Sequence, residues 1–134
     1  MKPSEHLAEF ERLIVQSRLV KRFTIGERRE KRFEAYIKVR LFLVDDSVLD
    51  VSEYIHATEE DSAEIMRYSY HWMDSSNRLR LRWDNVRHYP DLPHFPHHVH
   101  DGDEKNVLPS APMNLFKVLD IIADELKETT GGRP

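Results

Sequence analysis

Five histidines, His88, His94, His97, His98 and His100, fall within thirteen residues of a chain that has eight in all. Imidazole gains or loses a proton near neutral pH and also ligates divalent metals, so this density points to proton transfer or to metal binding. His98 and His100 share one face of any extended segment, and with His94 they make a candidate metal set. No cysteine is present to complete a thiolate site, and the spacing matches no closed zinc signature. Two other readings stand beside metal: acid–base or phosphate work with no cofactor, and a solvated loop without a chemical role.

A second set is spread along four stretches that alternate apolar and polar residues. Lys38, Arg40, Tyr54, His71, Arg78, Arg80 and Arg82 all fall on the polar side of that alternation. Arginine binds phosphate through two parallel N–H groups, tyrosine stacks on bases, and histidine moves protons. Cleavage of RNA by its own 2′-hydroxyl needs a base, an acid and a cation beside the phosphorane. The expected proton-transfer groups are His71, His97, His98 and His100. Lys38, Arg40, Tyr54, Arg78, Arg80 and Arg82 are the expected phosphate and nucleic-acid contacts. The plainer alternative is an ordinary solvated sheet face, where Arg and Lys are common.

These side chains need a scaffold. Ser4 is placed to cap a helix with a one-sided apolar stripe at Leu7, Phe10, Leu13, Ile14 and Val20, ended near Gly26. Glu27 to Arg32 reads as a charged connector. From Glu34 the period changes to two. Ala35, Ile37, Val39, Leu41 and Leu43 form the apolar side of one strand, and Leu49, Val51 and Ile55 that of the next. The hairpin turns at Asp45-Asp46-Ser47, with Leu43 expected opposite Leu49 and Leu41 opposite Val51. Glu53 then points inward and requires a partner. A third strand runs from about Ile65 to Met73 and a fourth from Arg78 to Trp83, with Trp72 opposite Leu79 and Tyr70 opposite Leu81. Asn85 to Ala111 is a long Pro- and His-rich loop, and a last helix follows Ser110 and Pro112 with Leu115, Phe116, Val118, Leu119, Ile122 and Leu126 inward. The expected fold is α+β: a four-stranded or slightly larger antiparallel meander, with the N- and C-terminal helices packed on one face. Residues 1–128 make one domain, and 129–134 a flexible tail.

The 134 residues suit a single domain that buries a core without disulfides. The net charge of −4 argues against a general nucleic-acid binder, yet the stretch from Arg67 to Arg87 is locally basic, with five arginines against Asp74 and Asp84. No apolar run is long enough for a membrane span or a secretion signal, so the expectation is a cytoplasmic protein with no membrane contact.

Several segments together carry a resemblance. They are the hairpin Leu43-Val44-Asp45-Asp46-Ser47-Val48-Leu49 leading to Glu53-Tyr54, then Tyr68-Ser69-Tyr70-His71-Trp72 and Leu81-Arg82-Trp83-Asp84-Asn85. The loop from His88-Tyr89-Pro90 to Phe95-Pro96-His97-His98-Val99-His100 and a closing helix follow. Over residues 35–125 the chain resembles the TumE family, toxins of toxin–antitoxin modules. Asp46 stands where the family's turn usually carries glycine. The resemblance implies a growth-inhibiting toxin neutralised by a small helix-turn-helix antitoxin. It transfers no catalytic residues, so the expected activity, a metal-independent ribonuclease with no cofactor, rests on the polar face. Its rivals are a metal-dependent enzyme at the histidine loop and a non-catalytic protein-interaction module. An RNA substrate, the antitoxin and a homo-oligomer are the partners foreseen.

Overall fold

A computed structural model describes residues 1–131, with side chains through residue 127. Helix α1 (Pro3–Gln16) leads into seven strands, β1 (Val20–Glu30), β2 (Glu34–Leu43), β3 (Val48–His56), β4 (Glu64–Met73), β5 (Leu79–Asp84), β6 (His98–Asp101) and β7 (Val107–Pro109). Helix α2 (Leu115–Gly131) closes the chain. The strands form one antiparallel sheet in sequence order. Leu7, Phe10 and Ile14 of α1 and Leu115, Val118, Leu119 and Ile122 of α2 share one core with the inward side chains of β2 to β5. The α+β class, the antiparallel sheet and both helices are as expected, and the sheet has seven strands where four or slightly more were expected.

The extra strands have clear physical reasons. β1 occupies what reads as the end of the first helix and a charged connector. It is an edge strand paired only with β2, and Lys21 to Glu30 are exposed, so burial imposes no alternation on its sequence. Helix α1 stops at Gln16, and its N-cap is Lys2, with Glu5 accepting from the Lys2 amide at 2.9 Å; Ser4 lies inside the helix. β6 and β7 form within the Pro- and His-rich stretch, where β6 is only four residues long and leaves too short a pattern to read. Of the tail expected over 129–134, residues 129–131 lie in α2, and residues 132–134 lie outside the described residues.

Both central hairpins pair two residues away from the expected register. Leu41 faces Leu49 and Val39 faces Val51; Tyr70 faces Trp83 and Trp72 faces Leu81. A shift of two leaves every side chain on its own face, because only an odd slip exchanges the faces. It does change each residue's neighbour across the strand. The first turn is a three-residue loop, Val44–Asp46, with the Asp46 amide donating to Leu43 O at 3.0 Å and the Leu43 amide to Ser47 O at 2.9 Å. Asp46 has φ 69°, the left-handed third position such loops require. Aspartate tolerates that conformation better than most residues, which accounts for it at a glycine position. Ser47 is buried beneath the turn and accepts from the Trp72 indole N–H at 2.9 Å.

Glu53 points inward as its parity demands and is 1% exposed. Its carboxylate takes the Tyr70 hydroxyl at 2.6 Å and lies 2.9 Å from His6 Nε2. One buried charge thus ties α1, β3 and β4. Burial first, then the Glu53 charge, holds the Tyr70 hydroxyl well above the ordinary phenol range. Glu53→Ala leaves the buried Tyr70 hydroxyl without a partner, takes the carboxylate from the part-buried His6, and should cost roughly 3 kcal/mol. Glu53→Gln, which keeps an acceptor for Tyr70, should cost clearly less. Urea unfolding of the two variants checks the order, and equal losses would show that the carboxylate charge, which both variants lack, outweighs the acceptor that glutamine keeps.

Candidate functional site

Strand pairing builds the site on the sheet face turned away from the helices. Arg40 faces Asp50, Asp50 faces His71, His71 faces Arg82, and Arg82 faces His100. These five side chains form one row across β2 to β6. Beside it runs a second row, Lys38, Ser52, Ser69, Asp84 and His98. Each row exists because antiparallel partners place their side chains on the same face.

The rows converge on one polar centre between β5 and β6. Asp84, His98 and His100 are 4%, 2% and 3% exposed. His98 Nε2 lies 2.9 Å from Asp84 Oδ1, and His100 Nε2 lies 3.7 Å from Asp84 Oδ2. The Val86 amide also donates to Asp84, at 3.0 Å. Each imidazole is oriented from behind, His98 Nδ1 on Pro96 O at 2.9 Å and His100 Nδ1 on Glu104 O at 2.8 Å. A carbonyl oxygen only accepts, so both Nδ1 atoms carry the proton. Tyr89, from the segment between β5 and β6, packs edge-on against His98 with ring centres 4.9 Å apart and against His100 at 6.2 Å.

Arg82 is held on three sides. Its guanidinium donates to Glu104 and to Asp84 at 2.7 and 3.3 Å, and lies 3.1 Å from His100 Nε2. Since His100 Nδ1 is protonated, Nε2 accepts from Arg82. His71 is half-buried next to this cation. Burial, and then the charge of Arg82, lowers its pKa below the ordinary 6.5, so the ring is neutral at pH 7 and acts as a proton acceptor.

The other expected site residues are distributed differently. Arg78 lies before β5 and pairs with Asp74 across its own turn at 3.0 Å. Arg80 sits at the bulge opposite Trp72 and Met73; it lies over the Trp72 ring at 4.8 Å and pairs with Asp45 at 2.9 Å. The three arginines therefore do not form a set, because the bulge interrupts the alternation that would align them. Arg40 is on the face but bonded twice to Asp50, both at 2.8 Å. Tyr54 donates to Glu34 at 3.0 Å and has Arg67 over its ring. Lys38 is exposed opposite Ser52. His97 precedes β6 and turns to Tyr68, a core residue, with Nδ1 2.7 Å from the hydroxyl. His94 is exposed at φ 66° and is not in the group that could hold a metal; among the described residues that group is Asp84, His98 and His100. Sequence reading did not single out Asp84, Glu104 or Tyr89. Asp84 carried a usable signal, since it lies two residues beyond Arg82 and so on the same strand face.

Among the described residues, fold and centre together define a small α+β protein with a single sheet and a histidine–arginine–carboxylate site on its helix-free face. A family model described as Toxin TumE matches residues 10–130. The chain belongs to the TumE toxin family, and a toxin of this kind implies an antitoxin partner. Neither the curated proteins nor the solved structures give a match. Among the described residues, no helix is long and apolar enough to cross a membrane.

His71 and His97 both have lowered pKa values, in each case chiefly through burial. The unfolded chain therefore takes up protons on these rings first. Their contribution to stability is complete above about pH 6.5 and is lost as pH falls through their folded values. Histidine NMR titration should place His71 below the free value, and Arg82→Ala should move it upward. An unchanged titration would remove Arg82 as a cause.

Proposed function

We propose that this toxin acts on RNA at the Arg82–His71–His100 row, by transesterification on the RNA's own 2′-hydroxyl. The observation that supports this reading is a neutral imidazole, His71, directly across the strand from a guanidinium, Arg82. A base and a cation at adjacent positions meet two demands of the reaction: removal of the hydroxyl proton and neutralisation of the phosphorane. The third is an acid for the departing 5′-oxygen, and the His71 imidazolium formed in the first step supplies that proton as the P–O5′ bond breaks, which leaves a 2′,3′-cyclic phosphate and a 5′-hydroxyl. Glu104 holds Arg82 through both carboxylate oxygens and is about half-exposed, so a phosphate group reaches the guanidinium by replacing it. Along the same face, Lys38 and the exposed Arg67 beside Tyr54 extend the contact to further nucleotides. The partner that silences the toxin is, on this reading, a helix-turn-helix antitoxin.

Induced expression of the wild-type chain should arrest growth, and the purified protein should cleave RNA. His71→Ala and Arg82→Ala should each reduce cleavage by roughly 100-fold or more. Arg78→Ala, which removes only the turn ion pair, should stay close to wild type. Wild-type cleavage by both site variants would sink the ribonuclease reading. Tight antitoxin binding without RNA turnover would point instead to an interaction module.

A further inference from the structure

We propose that Asp84, His98 and His100 form a binding site for a divalent first-row transition ion of the zinc class. The proposal goes beyond the RNA reading and does not depend on it.

The three donor atoms lie within 4.8 Å of one another, and all three residues are buried. Two neutral imidazole nitrogens and one carboxylate suit zinc and its neighbours; magnesium and calcium prefer oxygen alone. Pro96 O and Glu104 O take the Nδ1 protons, which leaves Nε2 of each ring as the ligating atom. His98 Nε2 shares a proton with Asp84 at 2.9 Å, because a carboxylate only accepts, and a bound ion takes the place of that proton. Backbone carbonyls behind ligating histidines are a usual outer-shell device in metal sites. Spacing agrees as well. Bonds of about 2.0–2.1 Å to a tetrahedral ion hold neighbouring ligand atoms about 3.3 Å apart. His98 Nε2 lies 2.9 Å from Asp84 Oδ1 and His100 Nε2 lies 3.7 Å from Asp84 Oδ2, so the ligand atoms draw together around the ion on binding.

Arg82 is the obvious objection, since its cation lies beside the cluster. Glu104 answers it, bonding the guanidinium through both oxygens. Arg82, Glu104 and Asp84 then sum to one negative charge, which favours a cation. His100 Nε2 has one lone pair, so a bound ion replaces its hydrogen bond from Arg82, and the guanidinium stays on Glu104. The ion would tie β5 to the short β6 beneath Tyr89, which makes its first effect one of stability.

Chelator-stripped protein titrated with Zn²⁺ should bind one ion per chain and melt roughly 5 °C higher when loaded. Asp84→Asn, His98→Ala and His100→Ala should lose the stoichiometric binding. His88→Ala and His94→Ala should keep it. Should the site variants not fold, the wild-type chain still decides. Co²⁺ loading should give visible absorption bands of a nitrogen- and oxygen-ligated ion, and Zn²⁺ should shift the Nε2 resonances of His98 and His100. An absence of one-to-one binding overturns the proposal. So does binding that follows His88 and His94, or Nε2 signals showing a protonated His98 that zinc leaves unchanged. No arm reads RNA cleavage, so failure of the ribonuclease reading leaves these results standing.

Discussion

Antiparallel pairing with a side-chain period of two is the constraint on which this molecule rests. It sends alternate residues of β2 to β5 into the core beneath both helices, and the remainder to the other face. Because pairing is continuous from β2 to β6, it also lines those remaining residues up across the sheet. Arg40, Asp50, His71, Arg82 and His100 are far apart in sequence, and pairing makes each the neighbour of the next. Loss of register in one hairpin would break the rows while leaving the apolar face almost intact. Glu53 guards against this at one point, because its carboxylate is matched to Tyr70 in β4 and His6 in α1.

Charge is balanced locally, on the polar face at Arg40 and Arg82 and beside it at Arg78 and Arg80. Arg40 with Asp50, Arg78 with Asp74, Arg80 with Asp45 and Arg82 with Glu104 are each a cation beside a carboxylate. A net charge of −4 is therefore compatible with an anion-directed site, provided the anion displaces a carboxylate and does not settle on a bare basic patch. Such exchange favours a ligand that engages several positions at once. It also gives the face selectivity against general polyanion binding, whose strength depends on uncompensated positive charge.

Burial separates the residues of the centre into two kinds. Asp84, His98 and His100 are closed off under Tyr89, whereas His71 and Arg82 are only partly covered. The closed group is fixed by backbone carbonyls and by the Val86 amide, a rigid arrangement suited to holding a cation or a shared proton. The open pair is the one a large ligand can reach. The two kinds meet at Arg82, which touches both Asp84 and His100.

Much was legible in the residues alone. Periodicity marked both helices, the four central strands, the apolar face and the inward Glu53, because each of those patterns is imposed by burial on a long element. Where burial imposes nothing, the signal fails. β1 is an exposed edge, and β6 and β7 are too short. The sequence by itself determined which face each central-strand residue occupies, since parity survives a register shift of two. Only the tertiary structure decided which residues meet: it separated Arg78 and Arg80 from Arg82 through a bulge, sent His97 to Tyr68, and put Asp84 between His98 and His100. The physical reason is that alternation is a local property of one strand. Cross-strand partners depend on turn geometry and on the energy of the whole sheet.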